Sequence, residues 1–189
     1  MAPDNPDQGA AARRLMRSRD HAALATSLGG HPYVSLVAVA CEADARPLLL
    51  LSDLAQHTSN LLADPRVSLL LDDTRGHRDP LAGPRLTLLG RAARCEDPHS
   101  AARFAARHPA SAGYAGFADF HLYRVAIERG HLVAGFGRIA WIEAEQLRFQ
   151  GDASALAGWR AAKRAAARLS AQRSARPNSV SRGPASGSG

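Results

Sequence analysis

The feature that most constrains the fold of this chain is a series of short apolar runs with the length and composition of β-strands. Several of them alternate in polarity with period two, and turn signals such as Gly29-Gly30 separate them. A doubly wound parallel sheet needs a helix after every strand, and only three or four short helices fit between these runs. The pattern therefore predicts a mainly β protein with short helices, in which six or seven mostly antiparallel strands form a closed or half-closed barrel.

The predicted elements can be placed from the apolar runs, the prolines and the capping residues. Asp53, with Gln56 three residues later, matches a capping box at the start of the central helix. Gly90 predicts a bend or bulge, and Arg129-Gly130 predicts a turn into a last strand that breaks at 135–137. Strands are predicted over 21–28, 31–40, 48–51, 66–71, 83–94 and 120–128, and helices over 10–19, 53–64 and 97–108.

The length of 189 residues suits one folded domain with flanking segments. We divide the chain into a flexible N-terminus (1–9), a barrel domain (10–150), a basic helix rich in Ala and Arg (151–176) and a disordered tail (177–189). Of the net charge of +7, residues 1–150 carry one positive charge in excess and residues 151–189 carry six. The basicity therefore lies outside the barrel, and we predict no binding of nucleic acid.

The chain has no run of about 18 consecutive apolar residues, the length that a membrane span needs. Its first residues include acids and prolines and lack the apolar core of a signal peptide. We therefore expect a cytoplasmic protein with no membrane partner. In such a compartment Cys41 and Cys95 are predicted to be free thiols rather than a disulfide.

The segment SDLAQHT, between two strands, is the best candidate for chemistry. Its side chains Ser52, Gln56, His57 and Thr58 can donate to phosphate oxygens beside the free N–H groups of a helix start. The alternative is that Ser52 or Asp53 only caps the helix and that His57 is a surface residue. Spacing alone favours the alternative, since caps are far commoner than phosphate sites.

Three blocks of the sequence resemble the pyridoxamine 5′-phosphate oxidase-like FMN-binding split barrels. The blocks are HPYVSLVAVACEADARPLLLLSDLAQHTSNLLADPRVSLLLDD, GPRLTLLGRA and GFGRIAW, in that order. They are most similar to the haem-utilisation branch, whose members carry the patterns S-[DE]-L-A-x-H-T-x-N-L, GPRLTLLG and GFGRAxW. The resemblance covers roughly residues 10–148 and implies a split β-barrel fold.

The resemblance implies an FMN-binding flavoprotein, an oxidoreductase of unidentified substrate or electron donor, that forms a homodimer with FMN at the subunit interface. Gln56-His57 stand where the oxidases have Arg-Lys, so a weaker and pH-dependent attraction for the phosphate is expected. The correspondence with the family also implies which residues contact FMN. Its ring would lie against Val34, Ser35, Leu36 and Val37, and its phosphate would lie near Gln56, His57 and Thr58. Leu51, Ser52 and Arg85 would contact it as well.

Two other functions stay open at this point. One is a haem-binding or haem-degrading protein, as in the haem-utilisation branch. Relatives that degrade haem hold its iron with a histidine in a C-terminal extension, and no histidine follows His131 here. The other is a flavin-binding module without turnover. The residues identify no catalytic side chain and no resident metal site.

Overall fold

The structure is a computed structural model that describes residues 6–135, 137–149 and 151, without the side chains of residues 6 and 7. The predicted basic helix after residue 151 and the predicted disordered tail lie outside the described residues. Within these residues the protein is mainly β, and its strand pairs are antiparallel. The fold class is therefore confirmed.

The described residues form seven strands, four α-helices and two short 3₁₀ turns. The strands are β1 His21–Leu28, β2 His31–Cys41, β3 Pro47–Ser52, β4 Arg66–Asp72, β5 Arg85–Arg94, β6 Phe120–Val133 and β7 Ile139–Glu143. The helices are α1 Pro6–Ser18, α2 Gln56–Ala63, α3 Pro98–Arg107 and α4 Ala144–Leu147, and the 3₁₀ turns are Pro80–Ala82 and Pro109–Gly113.

Six of the strands close into a barrel. They follow one another in the order β3-β2-β1-β4-β5-β6, and a β3–β6 pairing joins the two ends, while β7 is added on the outside of β6. Closure removes the exposed strand edges within the barrel. The interior is filled by leucines that are at most 1% exposed, among them Leu24, Leu69, Leu86 and Leu88.

Strand β6 is longer than the sequence pattern indicates. The turn predicted at Arg129-Gly130 is wrong, since β6 continues through both residues and stays paired with β5 and β7. Gly130 instead allows close packing of Leu147 against β6, because a Cβ on this residue would lie 2.9 Å from Cδ1 of Leu147. The chain turns four residues later, where the Arg138 N–H donates to the Gly135 carbonyl (3.2 Å).

The bulge predicted at Gly90 is confirmed. The β5–β6 register shifts between Leu89 and Gly90. A Cβ on Gly90 would lie 2.3 Å from the carbonyl oxygen of Ala126, which is backbone and cannot move aside. Glycine is therefore needed here for close approach of two strands.

Helix α1 begins at Pro6, four residues before the predicted start. Residues 6–9, which the sequence assigns to a flexible N-terminus, form the first turn of this helix. The cause is a tertiary contact that local sequence does not reveal. The Arg13 guanidinium donates to the Gln146 carbonyl, and Gly9 lies so close to the same oxygen that a Cβ would be 2.8 Å away.

The capping box predicted for the central helix is also wrong. Helix α2 begins at Gln56 with Ala55 as its N-cap, and no side chain caps it. Asp53 lies before the helix, and its carboxylate accepts hydrogen bonds from Arg94 and His121, each at 3.0 Å. An ionised carboxylate gains more from two cationic or polar partners at the barrel end than from one backbone N–H.

The prediction that the cysteines are free thiols is confirmed; Cys95 is buried and Cys41 is half-buried. Its thiol faces the Met16 carbonyl at 3.5 Å, and burial raises the pKa of this thiol to about 12. Because the thiolate is the reactive form, we expect Cys41 in the folded protein to resist a thiol reagent at pH 8 and to react after denaturation. Counting labelled cysteines by mass spectrometry checks this, with Cys41→Ser as the control. Labelling of native Cys41 at the rate of a free cysteine would contradict the burial.

Candidate functional site

A cleft of about 310 Å³ opens where β2 and β3 meet the start of α2. Five of its ten lining residues belong to the predicted site and five do not. The predicted ones are Leu36, Val37, Leu51, Ser52 and His57, and the others are Ala38, Leu50, Ala55, Tyr114 and Phe120. The lining that the described residues provide is mostly apolar and includes no arginine or lysine.

The aromatic wall of the cleft escaped the sequence-based prediction. The centroids of the Tyr114 and Phe120 rings lie 4.9 Å apart; Tyr114 belongs to the segment that leads into β6, and Phe120 is the first residue of that strand. Phe117, in the same segment, is 59% exposed and contacts Phe120 edge-on. The signal in the sequence was a cluster of aromatic and glycine residues directly before a strand, a pattern that has no fixed meaning without its tertiary neighbours.

His57 is the titratable side chain that lines the cleft from α2. Its Nδ1 lies 3.0 Å from the Ser35 hydroxyl on β2, so one end of the ring is held in place. Burial lowers the pKa of the His57 imidazole below its ordinary value, and the ring is therefore neutral at neutral pH. The other ring nitrogen, Nε2, has no hydrogen-bond partner within the described residues.

Ser52 also lines the cleft, but its hydroxyl is already engaged. It donates to the Asp119 carboxylate at 2.6 Å and accepts from the Leu54 N–H at 3.1 Å. The hydroxyl proton is therefore directed at an anion. A phosphate at this end of the cleft would meet a carboxylate rather than a free donor.

The Gln56 amide is also engaged in a hydrogen bond, and the Thr58 hydroxyl is inaccessible to a ligand. The Gln56 amide donates to Asn60 at 2.9 Å, and Asn60 in turn donates to Thr26 at 3.0 Å. Thr58 is fully buried, and its hydroxyl has no partner among the residues that the structure describes. What remains for an anion here is the second N–H of the Gln56 amide and the free backbone N–H groups at the start of α2.

The structure does not bring Arg85 to the cleft of its own chain. It lies on β5, three strands from β2, which is roughly 14 Å across the sheet at the usual strand spacing. Its guanidinium donates to the carbonyls of Leu81 (2.7 Å) and Gly83 (3.3 Å). Val34 lies outside the lining too, on the surface of β2, where it is 62% exposed.

An apolar face runs from the cleft across the outside of the barrel, and we call it the outer sheet face. Its exposed members lie on three strands: Val34 and Leu36 on β2 (62% and 74% exposed), Leu70 on β4 (40%) and Leu89 on β5 (37%). The strand registers align them in two rows, Leu36–Ala23–Leu70–Thr87 and Val34–Ala25–Ser68–Leu89. Contiguous exposed apolar surface of this kind is typical of an interaction site.

The sequence model of the CREG β-barrel family matches residues 3–148. The chain belongs to the CREG β-barrel family. This CREG β-barrel chain is 39% identical over 111 residues to the non-canonical heme oxygenase HOZ of Arabidopsis thaliana chloroplasts, a match that covers 56% of this chain and a third (33%) of HOZ. No helix in the described ranges of the chain has both the length and the apolar character of a membrane span.

Solved structures agree with this family assignment. A heme-binding protein of Mycobacterium smegmatis is 30% identical, with a TM-score of 0.68 over 78% of this chain and 61% of that one. A pyridoxamine 5′-phosphate oxidase-type protein of Listeria innocua shares the fold at 14% identity, with a TM-score of 0.53 over 67% of this chain and 98% of that one. The predicted split barrel, on the haem-utilisation side of its superfamily, is confirmed.

Proposed function

We propose that this CREG β-barrel protein binds haem in the cleft, either to hold it or to break it down. The observation that carries the proposal is the chemistry of the lining, which is apolar and aromatic and, as far as the described residues go, offers no arginine or lysine. Haem is a wide, flat, apolar ring, and its carboxylates lie along one edge, where they can remain in water. The proposal is supported by the names of the Arabidopsis and Mycobacterium relatives, which refer to haem.

The residues of the cleft fit such a ring. Leu36, Leu50, Tyr114 and Phe120 all line the cleft and would supply apolar and aromatic contacts to the ring. Burying these side chains under the ring excludes water from it. The bound iron would supply the redox chemistry, and the protein's part is to hold and orient the ring.

FMN is the second candidate, and the start of α2 favours it. Ala55 and His57 place the first turn of this helix beside the cleft, and helix N-terminal N–H groups bind phosphate. An FMN-dependent oxidoreductase would use this end for the phosphate and the apolar wall for the isoalloxazine ring. The carboxylate of Asp119 disfavours FMN, because it would repel a phosphate that carries about −1.5 to −2 charges at pH 7.

Titrating the purified apoprotein with hemin, FMN and riboflavin separates the two candidates. We expect a Soret shift that saturates at one hemin per chain, and FMN affinity no higher than that of riboflavin, which has no phosphate. FMN bound more than about tenfold more tightly than riboflavin, with no Soret shift, would overturn the haem proposal in favour of the flavoprotein.

The negative charge of Asp119 leads to a separate prediction about the affinity for FMN. Asp119→Asn removes an anion beside Ser52, and one such charge is worth about 1 kcal/mol in a hydrated setting. We expect FMN to bind about fivefold more tightly to this variant by fluorescence titration, while riboflavin binds as before. An equal change for both ligands would mean that the phosphate does not lie at this end of the cleft.

The outer sheet face leads us to propose a homodimer, as the family resemblance implies. In a monomer, Leu36 and Val34 would leave most of their apolar surface in water. A second copy that covers the face would remove this surface from water on both chains. The wall of the cleft at Leu36 would then lie next to the subunit interface.

A further inference from the structure

The cleft contains a side chain suited to hold iron. Proteins ligate haem iron with histidine, cysteine, methionine or tyrosine, and of these types the cleft lining has His57 and Tyr114. The Tyr114 ring packs at a tilt against Phe120, and no base hydrogen-bonds its hydroxyl within the described residues. His57 is therefore the better donor.

The hydrogen bond between His57 and Ser35 orients the imidazole for this role. The Ser35 hydroxyl lies 3.0 Å from His57 Nδ1, and in the tautomer whose Nδ1–H donates to this hydroxyl the lone pair of the neutral ring is on Nε2. Histidines that ligate metals usually donate their other ring N–H in this way, which fixes both the tautomer and the ring plane. The two partners belong to different elements, β2 and the first turn of α2, so the ring is held from outside its own helix.

We propose that His57 is the axial ligand of the haem iron through Nε2, and that Ser35 is its positioning residue. This inference rests on the proposed haem binding. In this arrangement the SDLAQHT segment binds iron, and its role as a phosphate anchor is lost.

The test compares hemin complexes of the whole protein and of four variants by absorption and resonance Raman spectroscopy. His57→Ala should lose the spectrum of a histidine-ligated iron, and free imidazole should restore it. His57→Gln, which keeps a side chain of similar length, should lose it too. Ser35→Ala should keep the histidine-ligated spectrum while hemin affinity falls about tenfold, the usual cost of losing such a partner. The matched control is His121→Ala, because His121 pairs with Asp53 and does not line the cleft.

Each outcome decides the assignment. Loss of the histidine-ligated spectrum in both His57 variants, with imidazole rescue and an unchanged His121→Ala, supports it. A wild-type spectrum in His57→Ala or His57→Gln overturns the ligand assignment and leaves haem binding in place. A wild-type protein that shows no Soret shift overturns both the ligand and the proposed function.

Discussion

Leu70→Glu should convert the proposed dimer into a monomer. Leu70 lies on β4 in the middle of the outer sheet face, flanked in its row by Ala23 and Thr87. A glutamate there would carry an unpaired charge into an apolar interface, which costs several kcal/mol in each of the two subunits. Sedimentation equilibrium should show a mass of twice 20.0 kDa for the wild type and of 20.0 kDa for the variant.

The matched control is Leu62→Glu. Leu62 is 61% exposed on α2, outside the face, so the same change should leave the dimer intact. Circular dichroism should show that both variants are folded. A dimeric Leu70→Glu protein, or a wild-type protein that is already monomeric, would contradict the assignment of this face to a second copy.

Gly90→Ala should destabilise the fold strongly for a change of one methyl group. The new Cβ would lie 2.3 Å from the Ala126 carbonyl oxygen and 3.0 Å from Cγ1 of Val125. Two paired strands would have to separate at the bulge, so we expect a loss of about 3 kcal/mol in the free energy of unfolding, at the upper end of ordinary overpacking.

Urea unfolding of the apoprotein measures this loss, and Gly113→Ala is its control. A Cβ on Gly113 would meet nothing within 4 Å, so its free energy of unfolding should change by no more than about 0.5 kcal/mol. Equal stability of the two variants would show that β5 can shift away from β6 without cost. The bulge at Gly90 would then not depend on glycine.

The strands of this barrel could be predicted from the sequence because their signal is local. Period-two alternation and flanking turn residues place β1 and β2 within one residue of their observed ends. The same reasoning places α3, where Asp97 caps the helix as predicted, accepting from the His99 N–H at 3.0 Å. Where neighbours in sequence decide the conformation, the pattern is sufficient.

The errors of the sequence-based prediction arise where residues distant in the sequence determine the local conformation. Gly130 looks like a turn residue, but Leu147 from α4 covers it within a continuous strand. Asp53 looks like a helix cap, but Arg94 and His121 from β5 and β6 bind its carboxylate. In both cases a tertiary contact outweighs a local propensity of about 1 kcal/mol.

The candidate site shows the same contrast between features that the sequence predicts and contacts between distant residues that it does not. The SDLAQHT segment and the YVSLV strand were placed at the cleft by resemblance, and the structure brings Leu36, Leu51, Ser52 and His57 together there. The commitment of the Ser52 hydroxyl to Asp119 could not be predicted, because the two residues lie 67 positions apart. That hydrogen bond adds to the apolar, aromatic lining as a reason to favour a flat apolar ring over a phosphate in the cleft.

Hemin titration of a variant with a filled cleft tests the central claim most directly. Ala55→Trp places an indole in the lining at the start of α2, and Ala63→Trp places the same group at the exposed end of that helix. We predict that the wild type and Ala63→Trp show a saturating Soret shift at one hemin per chain, and that Ala55→Trp binds at least about tenfold more weakly. Equal hemin affinity of all three proteins would place the haem outside the cleft, and no Soret shift in any of them would contradict haem binding itself.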